Sequence, residues 1–182
     1  MLINIKSIII IAIFTMVIFA FYSCNKNTAP TMKTVENVDI QKYLGTWYEI
    51  ARFPHSFEKN LQGVTATYTM RKNGKIKVLN QGYKNSLDGK LKTATGKAFI
   101  PNPEVPGHLR VSFFLWFYSD YYILELDKDY QYVLVGSSSP DYLWILSRTP
   151  KLDENIYNEL TSKAKSLGYD LSKLEKVEQH TN

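Results

Sequence analysis

Cysteine is nearly absent from this chain of 182 residues, since Cys24 is the only one. A single cysteine cannot form an internal disulfide, so a disulfide-stabilised scaffold is excluded. Long runs of one charge are also lacking, because 22 basic and 17 acidic residues are scattered and give a net charge of +5. Without a basic cluster, nucleic-acid binding is not indicated. The charges predict a solvated surface with a mild attraction to anionic lipid.

The sequence also lacks the patterns that accompany catalysis. His55, His108 and His180 lie far apart, and none has a second His or a Cys at metal-ligand spacing. The serines at 137–139 are not in a Gly-x-Ser-x-Gly elbow, and no glycine-rich phosphate loop is present. We therefore expect no catalytic residue, no metal site and no cofactor, and the sequence predicts a protein that is not an enzyme.

One long apolar run is present, near the start of the chain. Lys6 precedes residues 8–22, which are apolar apart from Thr15. A membrane-spanning helix needs roughly 20 residues, so this shorter run suits the core of a signal peptide. We predict a lipoprotein-type signal peptide at residues 1–23 and a lipidated N-terminus with a flexible polar tether at residues 24–38.

Two interpretations of Cys24 are open. It is either a stray thiol beside a cleavage site or a lipid attachment site. Ser23 and Cys24 at the end of an apolar run resemble the lipobox of bacterial lipoproteins, in which the cysteine becomes the acylated first residue. We favour lipidation because this cysteine has no partner for an internal disulfide. Asn25 then resembles the enterobacterial sorting pattern for the outer membrane, which implies a lipid anchor on its periplasmic side.

The rest of the chain reads as short strands separated by turn signals, which is typical of an all-β barrel or sandwich. Asn73 and Gly74 give the strongest hairpin signal because both tolerate a positive φ. The predicted strands are residues 46–53, 64–70, 75–80, 91–100, 109–117, 121–126, 130–136 and 142–146. Eight antiparallel strands can close into a barrel that is wide enough for one elongated ligand.

The hydrophobic period changes beyond Pro150. One helical face carries the apolar residues Ile156, Leu160, Ala164 and Leu167. Asp153 can cap the start of this helix, and Gly168 can end it. We predict one amphipathic helix of about fourteen residues packed on the outside of the barrel.

Three residues at the two ends of the strand region carry a family resemblance. Gly45 and Trp47 open the first strand, and Arg148 follows the last one. A guanidinium over an indole face contributes about 0.5–2 kcal/mol. This Gly-x-Trp with a late Arg resembles the signature of the lipocalin family, and the bacterial outer-membrane lipoprotein and apolipoprotein D branch in particular. The resemblance implies an eight-stranded up-and-down barrel with an outer C-terminal helix, a domain at residues 39–176 and a polar tail at 177–182.

The resemblance also implies a ligand. It suggests a fatty acid or lysophospholipid with its head group near the barrel mouth, held for transport or storage in cell-envelope maintenance. The resemblance to apolipoprotein D places Thr67, Tyr122 and Leu124 inside, and strand alternation adds Leu109, Val111 and Phe113. Trp47 is expected to plug the floor. A protein-interaction module on a solid barrel, a lipid-modifying enzyme and a homodimer all stay open.

Lipidation of Cys24 has a direct test. Because two or three acyl chains attach a protein almost irreversibly, we expect Cys24→Ala to move the protein from the membrane fraction to the soluble fraction. Cell fractionation followed by immunoblotting measures the distribution of the protein, and a strain that expresses the protein with Cys24 intact is the control. Continued membrane retention of Cys24→Ala would refute the anchor.

Overall fold

The computed structural model describes residues 32–181. The predicted signal peptide, Cys24 and the first part of the predicted tether lie outside the described residues. Residues 32–181 form one compact unit with its own cores. Within the described part of the chain, no helix is both long and apolar enough to cross a membrane.

Strands make up most of the regular secondary structure of this unit. A short helix α1 (Ile40–Tyr43) leads directly into β1 (Gly45–Arg52). The next strands are β2 (Leu61–Met70), β3 (Ile76–Lys84), β4 (Leu91–Phe99), β5 (His108–Phe114), β6 (Phe117–Leu126), β7 (Tyr132–Gly136) and β8 (Leu143–Ser147). The chain continues with α2 (Glu154–Ser166), a 3₁₀ turn (Leu171–Lys173) and β9 (Glu175–Lys176).

The strands close into an antiparallel barrel. Each of β1–β8 pairs with its neighbour in sequence, and β8 pairs back onto β1. Closure satisfies the backbone groups that an open sheet would leave at its edges. The predicted fold class, an eight-stranded up-and-down barrel with one helix after it, is confirmed. The strand predicted to begin at residue 121 begins at Phe117, because the ladder continues to Phe114 opposite Phe117. Helix α1, the 3₁₀ turn and β9 were not predicted.

Two hydrophobic cores lie on opposite faces of the barrel wall. The inner core includes Trp47, Leu109 and Ile123. The outer core forms where α2 lies against the barrel, with Leu160 and Ala164 among buried residues of the neighbouring strands. Asp153 accepts a hydrogen bond from the Asn155 amide and so caps α2, as the sequence predicts. The packing of this helix on the outside follows from its single apolar face.

Arg148 closes one end of the barrel over Trp47. Its guanidinium carbon lies 3.8 Å from the centroid of the indole ring, and the Trp47 side chain is fully buried. The same guanidinium donates hydrogen bonds to the carbonyl oxygens of Lys42, Tyr43, Leu44, Thr46 and Tyr130. Gly45 has φ +97°, and a Cβ there would lie 3.3 Å from Arg148 Nη1. Glycine therefore suits both the backbone conformation and the close approach of the guanidinium.

The C-terminal segment completes the barrel wall. β1 pairs with β2 only over Gly45–Tyr48, and farther along the two strands separate. β9 pairs with the far end of β1, and the Glu178 carbonyl accepts a hydrogen bond from the Gly63 amide of β2. Gln179 Nε2 donates to the carbonyls of Glu49 and Val64, one on each strand. The structure thus places residues 177–179 of the predicted polar tail in the wall between β1 and β2.

Arg148→Lys tests the closed end. A lysine has no planar fork, so it cannot hold the carbonyls of α1, β1 and the β6–β7 connection at once. We expect the free energy of unfolding to fall by about 3 kcal/mol, measured by urea denaturation. Arg71→Lys in the exposed β2–β3 turn is the matched control and should change little. Equal stability of the two variants would contradict the role given to Arg148.

Candidate ligand-binding site

A cavity of about 710 Å³ opens at the end of the barrel opposite Arg148. This volume lies within the roughly 300–1,000 Å³ of small-molecule sites. The cavity wall is mostly apolar, and its lining side chains come from each of β1–β8 except β7. Its apolar lining includes Val64, Ala66, Val78, Ala94, Val111, Phe113, Phe117 and Leu146. An apolar space of this size suits an extended hydrocarbon group.

The structure places the predicted lining residues in three environments. Val111 and Phe113 line the cavity. Leu109 faces inward but lies in the inner core beneath the cavity. The inward orientation predicted for Thr67, Tyr122 and Leu124 is wrong. Thr67 faces outward, and Tyr122 and Leu124 lie in the outer core.

Strand register explains the reversal. Residues paired across two strands share one face of the sheet. Ala66 pairs with the inward Trp47, so Thr67 faces outward, where its hydroxyl is 3.0 Å from that of Thr46. Tyr121 likewise pairs with the inward Leu109, so Tyr122 faces outward. Ala66, Tyr68 and Tyr121 are among the inward side chains that were not predicted from the sequence. The sequence does predict an inward Trp47. Once Trp47 is paired with Ala66, the inward and outward faces of β2 are assigned.

Three tyrosine hydroxyls form a hydrogen-bonded group above the floor. Tyr121 Oη is 2.6 Å from Tyr43 Oη, and it accepts a hydrogen bond from Tyr68 at 3.1 Å. Burial raises the pKa of Tyr68 to about 12 and raises the pKa of Tyr43 and Tyr121 well above the usual value. Tyr68 and Tyr121 line the cavity, so these neutral hydroxyls are polar groups at its inner end.

A buried ionic group lies in the wall nearer the mouth. Arg52 Nη1 donates a 2.6 Å hydrogen bond to Glu49, and Arg52 Nη2 donates to the carbonyls of Glu58 and Leu61. Burial raises the pKa of Glu49, and the nearby Glu58 adds to the rise while Arg52 opposes it. These contacts fix the loop between β1 and β2 against the barrel. Within residues 32–181, no group of three or more His, Cys, Asp or Glu is positioned to hold a metal ion.

The cavity mouth combines lysines with aromatic rings. Lys59, Lys84 and Lys92 belong to the lining and come from the β1–β2 loop, β3 and β4. Phe57 and Tyr142 stand on one side with their ring planes 23° apart. A polar group held at the mouth would therefore meet positive charge, while an apolar chain entering the cavity would pass beside these rings.

A closed antiparallel barrel with an apolar cavity that opens at the end opposite Arg148 defines a protein that can enclose a small hydrophobic ligand. The model of the lipocalin-like domain matches residues 38–179 of this chain. The chain belongs to the lipocalin family.

Individual relatives agree with this membership. The chain is 43% identical over 162 residues to the outer membrane lipoprotein Blc of Escherichia coli strain K12, covering 88% of this chain and 91% of that protein. It is 37% identical over 158 residues to mouse apolipoprotein D, covering 82% of each. Among solved structures, insecticyanin from the tobacco hornworm superposes with a TM-score of 0.67 at 21% identity, covering 83% of this chain and 86% of that one. This last likeness concerns the fold alone.

Tyr68→Phe tests the buried hydroxyl group through pH. An unfolded tyrosine ionises near pH 10, whereas folded Tyr68 keeps its proton to about pH 12. The unfolded state therefore loses a proton first, and the stability that this group contributes below pH 10 is lost as the pH rises to about 12. Across that window we expect the wild type to lose about 3 kcal/mol more than Tyr68→Phe.

Urea denaturation at a series of alkaline pH values measures this difference. Tyrosinate absorbance of the folded protein should meanwhile show one fewer late-ionising group in Tyr68→Phe. Equal slopes of unfolding free energy against pH in the two proteins would contradict the burial of this hydroxyl.

Proposed function

We propose that this protein is a membrane-anchored lipocalin that binds one single-chain lipid, a fatty acid or a lysophospholipid. It stores or transports this lipid in maintenance of the cell envelope. The observation that carries the proposal is the apolar cavity of about 710 Å³ with a single lysine-lined mouth. The relatives named as outer membrane lipoproteins support a location in the bacterial outer membrane.

The energy of burial supports a hydrocarbon chain as the ligand. Each buried methylene contributes about 0.8 kcal/mol. A dozen methylenes therefore contribute up to about 10 kcal/mol, against an association penalty of about 4–15 kcal/mol. A plain apolar wall such as that formed by Val64, Val78 and Val111 is sufficient for this binding. No catalytic group is required.

The distribution of charge supports an anionic head group at the mouth. Lys59, Lys84 and Lys92 lie on the lining at the open end, whereas the inner end presents only neutral hydroxyls. A carboxylate or phosphate buried among the tyrosines would lose its hydration without gaining a cation. The ligand is therefore oriented with its tail toward Trp47 and its head group in the opening.

The cavity also bears on the alternatives. A protein-interaction module would need only a solid barrel, and the open interior favours the carrier over it. A lipid-modifying enzyme would convert its ligand. Carrier and enzyme are separated by the mass of a bound lipid after prolonged incubation, which stays unchanged for a carrier.

Ala94→Trp tests the cavity as the binding site. Ala94 lines the cavity, so an indole there fills space that the chain of the ligand needs. Losing burial of two methylenes weakens binding by about tenfold. We expect this loss or a larger one for a fatty acid and a lysophospholipid, measured with residues 25–182 by native mass spectrometry and quenching of tryptophan emission.

Thr95→Trp is the matched control, because Thr95 is exposed, adjacent in sequence and not part of the lining. It adds the same indole outside the barrel and should leave binding unchanged. Absence of any bound lipid in the wild type, or equal weakening by both substitutions, would refute the proposed site.

A further inference from the structure

Large exposed hydrophobic side chains are concentrated at the open end of the barrel. We call Phe57, Leu91 and residues 113–117 the rim patch. Trp116 is 72% exposed and Phe114 66% exposed, at the tip of the β5–β6 hairpin. The ring of Phe117 stacks on the rings of Phe114 and Trp116, with centroids 6.2 Å and 6.1 Å apart. A contiguous exposed apolar surface of this kind marks an interaction site.

The rim patch is continuous with the cavity. Near the closed end, β4 and β5 pair through residues 97–99 and 110–112, and within the described chain no pairing joins them beyond that point. The two strands therefore separate toward the open end, where Ala94 and Phe113 both line the cavity. The hairpin that carries Trp116 stands beside this opening. A surface that covers the rim patch would also face the ligand entrance.

Charge at the open end favours an anionic partner. In the open-end connections and the strand ends beside them, the exposed basic residues are Lys59, Lys84, Lys90 and Lys92, and the exposed acidic residues are Asp88 and Asp141. Glu58 and Asp120 also belong to the cavity lining, but they are less exposed and lie within 3.1 Å of His55 and His108, respectively. Asp141 already pairs with Lys173 at 3.2 Å. A second copy docked mouth to mouth would bring these lysines against one another, whereas anionic lipid head groups would attract them.

The start of the described chain lies at the same end. At the closed end, Asp39 donates its amide hydrogen to Tyr130 Oη. Followed toward the N-terminus from there, the described chain begins at Met32. Met32 accepts a hydrogen bond from Tyr169, whose hydroxyl lies against Gly136 where β7 meets the β7–β8 loop. That loop is one of the open-end connections. Met32 is the eighth residue after Cys24, so the two are at most about 28 Å apart along the chain.

From these four observations we propose that the rim patch docks on the surface of a lipid bilayer with anionic head groups. The β5–β6 hairpin inserts Leu115 and Trp116 into the interfacial region, where tryptophan is favoured. The lysines then contact the head groups, and the gap between β4 and β5 faces the membrane. This inference goes beyond the proposed function, since bilayer docking and lipid binding in solution are separate properties.

Leu115→Asn/Trp116→Ser tests the docking. Neither side chain lines the cavity, and both are exposed. Leu115 has φ 47°, a conformation that asparagine tolerates well. Residues 25–182 lack the anchor site, so any vesicle binding belongs to the barrel unit. We expect the wild type to co-float with vesicles of phosphatidylethanolamine and phosphatidylglycerol, and the double variant to bind about tenfold more weakly or worse.

Val105→Ser is the matched control. Val105 is 39% exposed in the β4–β5 loop at the closed end, so its removal should leave vesicle binding unchanged. Trp116 emission in the wild type should be quenched by brominated acyl chains. Binding should weaken with added salt and be weaker still on neutral phosphatidylcholine vesicles.

Several results would overturn the docking. They are a wild type that does not co-float, a double variant that floats as the wild type does, and a patch-dependent dimer without vesicle binding. Retained fatty-acid binding in solution shows that the double variant is folded. If the double variant does not bind fatty acid, the single variants Leu115→Asn and Trp116→Ser are compared with the wild type in the same vesicle assay. A wild type that binds vesicles but no free lipid would refute the proposed function and leave the docking intact.

Discussion

The contact between Arg148 and Trp47 is the constraint on which the rest of the barrel depends. The guanidinium collects carbonyl groups from α1, the start of β1 and the β6–β7 connection, and so joins segments that are distant in sequence. It also covers the indole, whose Nε1 donates to the Tyr43 carbonyl. With the indole fixed inside, the faces of β1 are assigned, and pairing carries that assignment to β2 and onward. The cavity exists because this end is closed and the other is not.

Much of the architecture could be predicted from the sequence because its signals are local. The turn at Asn73 and Gly74 and the cap at Asp153 specify backbone conformation within a few residues. Inward and outward faces are different, since they depend on register between strands and on bulges such as the one between Ile123 and Glu125. Tyr122 was placed inside on the resemblance to apolipoprotein D, and the pairing of its neighbour Tyr121 with the inward Leu109 shows that it faces outward. Val111 was placed by alternation along its own strand, and it does line the cavity. β9 was missed because a two-residue strand carries no periodicity.

The interior combines two kinds of environment along one axis. At the inner end, hydroxyls of Tyr43, Tyr68 and Tyr121 satisfy one another, so polar atoms are present without charge. Nearer the mouth, the Arg52–Glu49 pair is buried in the wall and immobilises the loop that follows β1. None of these groups is visible in a pattern of single residues. The tyrosine hydroxyls acquire their partners only when strands that are remote in sequence become neighbours, whereas Glu49 and Arg52 are three residues apart on β1. The sequence therefore indicated a cavity without its polar contents.

The position of Gln179 between β1 and β2 has a consequence for biosynthesis. These two strands are made early, yet the wall between their far ends is completed by residues near the C-terminus. A nascent chain therefore leaves the wall between these strands open until Gln179 has been synthesised. Closing contacts of such high sequence separation are slow to form. Late closure thus keeps the newly made polypeptide unfolded for longer.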